Sequence, residues 1–179
     1  LNQRISLETY NKLTEVGGNM AAITYIPFNQ FPGKIYRSPM PYGPYDEHQD
    51  IYAAIKKYFI STIVMLTTDE EAFEKSGKNL KKVYLEDGLN VIHLPISDFD
   101  TPDRKALENA VQQTIQLVQQ GENILVHCSA GCGRTGLFLA ELTRIILHLP
   151  ADQAIEWVRK WVPCALETEA QIAFIHGEG

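Results

Sequence analysis

The stretch ILVHCSAGCGRTG, residues 124–136, decides how the rest of the chain is read. Ile124 to His127 is a short run of apolar and β-branched residues that predicts a strand buried on both faces. Ser129 to Gly136 carries too much glycine for a helix, and helical periodicity returns from Arg134 to His148. Strand, tight loop and helix N-terminus therefore follow one another within about a dozen residues. Backbone N–H groups of Ser129, Ala130, Gly131, Cys132, Gly133 and Arg134 can then converge on an anion, helped by the helix dipole. Gly131 and Gly133 allow the close backbone approach such a ring needs, and Arg134 can give two parallel charged hydrogen bonds to phosphate oxygens. The same positive field favours thiolate over thiol at Cys128.

Working outward, Asn90 to Ile96 and Ile60 to Leu66 predict two more buried strands, and Lys34 to Arg37 a fourth near the proline-rich entry Pro27 to Pro44. Helical patterns occupy Tyr45 to Phe59, part of Thr67 to Lys82, Thr101 or Pro102 to Gln120, Asp152 to Trp161 and Glu167 to Ile175. Strands alternating with helical crossovers predict a single α/β domain with a mainly parallel central sheet of four to five strands flanked by helices. The expected division is an N-terminal extension over 1–26, partly tag or leader, and one catalytic domain over 27–179. Ligands of such sheets bind beyond the carboxyl ends of the strands, where the loop after His127 sits.

Composition narrows the function. The chain has 179 residues, 45% hydrophobic and 21% charged, which suits one globular domain. Its net charge of −6, from 16 basic and 22 acidic residues, disfavours nonspecific nucleic-acid binding. No apolar run is long enough for a membrane span and no signal peptide is readable. Three cysteines, Cys128, Cys132 and Cys164, are too few and too unevenly spaced for a disulfide framework. They point to a reducing, cytoplasmic setting, with Cys132 a small neutral loop residue and Cys164 a packing residue. A disulfide between Cys128 and Cys132 is the minor alternative. Zinc is disfavoured, since no second cluster completes a site begun by His127, Cys128 and Cys132.

Residues 127–136, His-Cys-x5-Arg followed by threonine, resemble the signature loop of the cysteine-based protein tyrosine phosphatase superfamily. The resemblance implies nucleophilic attack by Cys128 to give a phosphocysteine, transition-state stabilisation by Arg134, and hydrolysis. It implies supporting roles for His127, which organises the loop, and for Thr135, whose hydroxyl helps the sulfur leave. No metal or cofactor is required. The general acid must come from another loop, and Pro95-Ile96-Ser97-Asp98 followed by Thr101-Pro102 is similar to the acid loop of dual-specificity enzymes of the kinase-associated phosphatase type. Asp98 is the matching residue, Asp100 is the other candidate, and Asp103 serves the following helix. The segment 165–171 resembles one that carries two glutamines in this type; Gln171 matches one, and Glu167 departs from the other.

Two competing loops fit less well. Gly131-x-Gly133-x-x-Gly136 satisfies a dinucleotide fingerprint, but no second strand with an acidic end follows it. A Walker loop fails for want of its lysine. The tryptophan-proline-aspartate acid loop of long tyrosine phosphatases is missing, which favours the dual-specificity subclass. The five uncharged residues Ser129 to Gly133 favour a phosphorylated protein or peptide, phosphotyrosine foremost, over inositol phosphates or phosphoinositides. A catalytically weak phosphate-reading module is the reading from another class, and oligomeric state is not encoded legibly.

Overall fold

The structure is a computed structural model, and it describes residues 23–177. Residues 1–22 of the expected N-terminal extension lie outside the described residues. Among these, five strands and seven helices alternate: β1 (Thr24–Ile26), β2 (Ile35–Ser38), α1 (Ile51–Lys57), β3 (Ile60–Met65), α2 (Asp69–Ser76), α3 (Leu80–Glu86), β4 (Asn90–His93), α4 (Arg104–Gln119), β5 (Asn123–His127), α5 (Gly133–Leu147), α6 (Ala151–Arg159) and α7 (Glu169–His176). The sheet order is β1-β2-β5-β3-β4. β1 is antiparallel to β2, and every other pairing is parallel. The predicted α/β class and mainly parallel five-stranded sheet are what the chain adopts.

The central strands are apolar on both faces because helices cover both. Ile124 and Val126 of β5 face one core with Val64 of β3, while Leu125 faces the other with Ile63 and Met65. Strand alternation thus divides one apolar run between two cores. α5 lies almost wholly inside the first core, with residues 133–143 all buried. Such a helix is apolar around most of its circumference, as a buried helix must be. α4 is amphipathic: Leu107, Ala110, Val111, Thr114 and Val118 are its buried stripe.

Local chemistry sets the helix starts. Asp103 is the N-cap of α4, its carboxylate accepting from Ala106 N at 2.8 Å, so the helix begins one residue after that cap and Pro102 stands outside it. The pattern over Tyr45 to Phe59 yields a shorter helix than the sequence predicts. Buried Asp46 instead accepts the backbone N–H groups of Tyr42 and Asp50, closing a turn ahead of Ile51. Trp157 stacks on Phe28 with ring centroids 5.0 Å apart, whereas Trp161 is 40% exposed.

With β2, β3, β4 and β5 parallel, the segments after Ser38, Met65, His93 and His127 leave the sheet at the same edge. The site is built there.

Candidate active site

β5 ends at His127, Cys128 opens the loop, and Arg134 lies on the first turn of α5. Cys132 holds the N-cap position without a side-chain cap of its own, and the Gly133 N–H expected in the anion ring is instead taken by the Glu167 carboxylate. Neighbouring strands fix the loop from outside. Leu66 N donates to His127 O at 3.0 Å, and Met40 N to Ser129 O at 2.9 Å. Gly131 adopts a left-handed φ of 74°, and a Cβ there would lie 2.5 Å from the Ser38 carbonyl oxygen. Only glycine fits both the conformation and the space.

His127 is fully buried between the loop and α3. Its Nδ1 lies 3.2 Å from Cys128 O and its Nε2 3.0 Å from Tyr84 Oη. The carbonyl can only accept, so Nδ1 carries the proton and Tyr84 donates to Nε2. Burial depresses the imidazole to a pKa of about 4. It also pushes the Tyr84 phenol well above its ordinary value, keeping it a donor. The ring is a neutral bracket for the Cys128 peptide group.

Arg134 is 2% exposed and its fork is fully engaged. Nη1 donates to Glu71 Oε2 at 2.5 Å and to Ile96 O at 2.9 Å; Nη2 donates to Glu71 Oε1 at 2.9 Å and to Asp98 Oδ1 at 3.0 Å. Burial acts against its charge, but Glu71, the Cys128 side chain and Asp98 hold the guanidinium ionised more firmly than usual. Lys75, one turn after Glu71, reaches Glu71 at 2.6 Å, Ser129 Oγ at 3.0 Å and Asp98 at 3.5 Å. Burial raises Glu71, yet the hydrogen bonds from Arg134 and Lys75 prevail and hold its carboxyl below the ordinary range.

Of the two acid candidates, Asp98 therefore stands beside Arg134, while the Asp100 carboxylate accepts from Thr101 N at 2.8 Å and serves its own turn. Thr135 is buried in the first turn of α5, and its hydroxyl has no partner. From the far side, Glu167 Oε2 accepts Gly133 N–H at 2.7 Å, and Gln171, fully buried, accepts Glu167 N–H at 2.9 Å. Burial raises the Glu167 carboxyl, only partly offset by that N–H.

The cysteines correct one expectation. Cys132 and Cys164 form a disulfide with Cα atoms 5.2 Å apart, and Cys128 is the free, buried thiol. Neither is the isolated small side chain predicted. The return from α6 to α7 brings Cys164 against the start of α5, within ordinary bridging distance, a juxtaposition that spacing along the chain does not reveal. Glu71 and Lys75 were also missed, because a polar helix with i,i+4 opposite charges reads as a solvated face. One signal was available: Thr68-x-x-Glu71 is a capping pattern, and Thr68 does cap Glu71 N, but the carboxylate turns to Arg134 instead of back to the cap.

Four likenesses to known proteins bear on this arrangement. Mouse "Protein tyrosine phosphatase domain-containing protein 1" is 30% identical over 93 residues, 52% of this chain and 12% of that protein. Mouse "Cyclin-dependent kinase inhibitor 3" is 26% identical over 123 residues, 68% of this chain and 58% of that one. The chain thus spans less than two thirds of either relative. The crystal structure of kinase associated phosphatase, with its catalytic-site cysteine replaced by serine, superposes with a TM-score of 0.75 at 22% identity, covering 86% of this chain and 91% of that one, and so shares the fold. The profile of Tc-R-P, "Polymorphic toxin system, DSP-PTPase phosphatase", matches residues 41–146. That match takes in α2, the acid loop and the whole 128–134 loop, more than half of the chain, and the chain belongs to this DSP-PTPase phosphatase family.

Proposed function

We propose that this chain hydrolyses phosphate monoesters on proteins or peptides, phosphotyrosine foremost, with Cys128 as nucleophile, Arg134 as phosphoryl clamp and Asp98 as general acid. The observation that carries the reading is the meeting of a free cysteine, a helix N-terminus and Arg134 with a carboxylate from a separate loop 3.0 Å from that arginine. In the first step the Cys128 sulfur bonds to phosphorus, the ester P–O bond breaks, and Asp98 gives its proton to the departing oxygen. Loop N–H groups and Arg134 hold the equatorial oxygens, Arg134 exchanging part of its carboxylate pairing for phosphate. In the second step water attacks phosphorus, the S–P bond breaks and inorganic phosphate leaves. The unpartnered Thr135 hydroxyl is free to donate to the departing sulfur.

The test is phosphate release by wild type and Cys128→Ser from p-nitrophenyl phosphate and from matched phosphotyrosine, phosphothreonine and phosphoinositide substrates, with EDTA throughout. Turnover that survives EDTA and vanishes in the variant supports the cysteine mechanism. Absence of turnover in wild type overturns it in favour of a phosphate-reading module. A second substrate reading has its own support: Lys75 Nζ beside Ser129 Oγ places a cation at the loop that its own uncharged residues lack, as a multiply phosphorylated inositol would require. Faster turnover of the phosphoinositide than of the phosphotyrosine peptide would favour that reading.

A further inference from the structure

Beneath the 128–134 loop lies a cation that the mechanism leaves unused. Arg37 is on β2, whose residues pair in register with β5, Arg37 opposite Val126 and Ser38 opposite His127. Its side chain is 5% exposed, and its Nη1 donates to Gly131 O over a long 3.5 Å. Its Nε is buried without a partner, and no carboxylate is ion-paired with it among the described residues. A buried guanidinium with so little compensation is costly and calls for a counter-charge.

Arg134 and Lys75 are both held by Glu71 and Asp98. Arg37 has no such carboxylate partner among the described residues. Its contact also has a geometric consequence. In a trans peptide the carbonyl of one residue and the N–H of the next point in opposite directions. Met40 N holds the Ser129 carbonyl on the β2 side, which turns Ala130 N–H away from β2. Arg37 does the same two residues later, holding the Gly131 carbonyl and turning Cys132 N–H away. The close packing of Ser38 O and Arg37 Nη1 against Gly131 keeps the template tight, since a Cβ there would meet them at 2.5 and 2.9 Å.

We propose that Arg37 is a positioning residue of the phosphate loop: from β2 it orients the Gly131–Cys132 peptide so that its N–H faces the bound phosphoryl group, and it supplies behind that group a buried positive charge that no carboxylate pairs. The proposal rests on the phosphatase reading above. It makes no contact with substrate.

The experiment compares wild type, Arg37→Met and Arg37→Lys for p-nitrophenyl phosphate turnover, inhibition by vanadate and thermal unfolding. Arg37→Met is expected to lose about 10- to 100-fold in kcat/KM and to weaken vanadate inhibition by a similar factor. Arg37→Lys is expected to recover part of both. A merely structural loss lowers the fraction of folded enzyme, and with it the apparent kcat, but leaves the vanadate inhibition constant of the remainder unmoved. A vanadate constant within threefold of wild type in Arg37→Met overturns the proposal. Should that variant not fold, the wild-type Arg37 Nε–H resonance, assigned by its loss in Arg37→Lys, is followed as inorganic phosphate is added. A shift on saturation supports the proposal, and a resonance unmoved by bound phosphate overturns it. Wild type that binds phosphate but hydrolyses nothing would defeat the phosphatase reading and leave the positioning of the loop to be judged by the resonance alone.

Discussion

Asp98 and His127 show how little of a side chain's task is fixed by its type. Asp98 is a half-exposed loop carboxylate held by Arg134 and Lys75, and its proposed work is to protonate the departing oxygen. Asp98→Ala should therefore lower turnover by about 10² to 10⁴ on alkyl phosphates, whose leaving groups need the proton, and far less on p-nitrophenyl phosphate. Equal losses on both would point to Asp100 or to a structural effect of the substitution. His127 is a pH sensor of stability. Its imidazole falls from an ordinary 6.5 to about 4 because burial disfavours the charged ring. Below pH 6.5 the unfolded chain binds a proton that the folded chain refuses, so stability is full above pH 6.5 and declines as pH falls towards 4, by about 3 kcal/mol in all. Glu71, held low by its cations, adds loss at more acidic pH, and Glu167, held high by burial, works in the opposite direction. Denaturant unfolding of wild type and His127→Gln at pH 7 and pH 5 isolates the histidine: wild type should lose about 2 kcal/mol more than the variant. Parallel losses would remove His127 as the cause.

At the scale of elements, β3 and β5 were legible as compact apolar runs buried on both faces, and the shorter β2 and β4 as the strands that the alternation with helices requires. β1 was not, since Thr24 to Ile26 is three residues of mixed exposure and gains its identity only by pairing with β2. The stretch Thr67 to Lys82 predicted one short helix and holds α2 and the start of α3, separated where Gly77 takes a left-handed φ and Asn79 caps the second. The 127–136 loop was legible because its proposed chemistry lies in one continuous decapeptide. Its surroundings were not: Arg37, Glu71, Lys75 and Tyr84 reach it from three other elements, and a single sequence records no such contacts. The loop's dependence on its neighbours is testable at Gly131. Gly131→Ala forces a Cβ into a left-handed residue and against the Ser38 carbonyl, so it should cost at least about 2 kcal/mol of stability and weaken vanadate binding together. Urea unfolding and inhibition constants read the two effects. Full stability with intact vanadate binding would mean that the loop and β2 separate easily.

On the scale of the whole molecule, four parallel strands deliver β2's end, α2, the acid loop and the nucleophile loop to one edge, and the C-terminal helices close that edge from behind. The Cys132–Cys164 bridge is the covalent part of this closure, joining the start of α5 to the segment that leads into Glu167 and Gln171. It spans 32 residues, and cross-linking a loop of that size removes unfolded-state entropy worth about 3 to 4 kcal/mol. Reduction should therefore lower the melting temperature by about 10 °C for a domain of this size. The comparison needs a thiol count under denaturing conditions, because the oxidised chain presents one thiol, Cys128, and the reduced chain three. A Cys164→Ser variant measured without reductant should melt with the reduced protein and not with the oxidised one. A melting temperature that ignores complete reduction would mean that the packing of α5, α6 and α7 already holds the closure and that the bridge adds no constraint of its own. The sign of the effect on turnover follows from the same geometry: freeing Cys132 loosens the loop whose N–H groups are proposed to bind the phosphoryl group, so the reduced chain should bind vanadate more weakly, even though reductant protects Cys128.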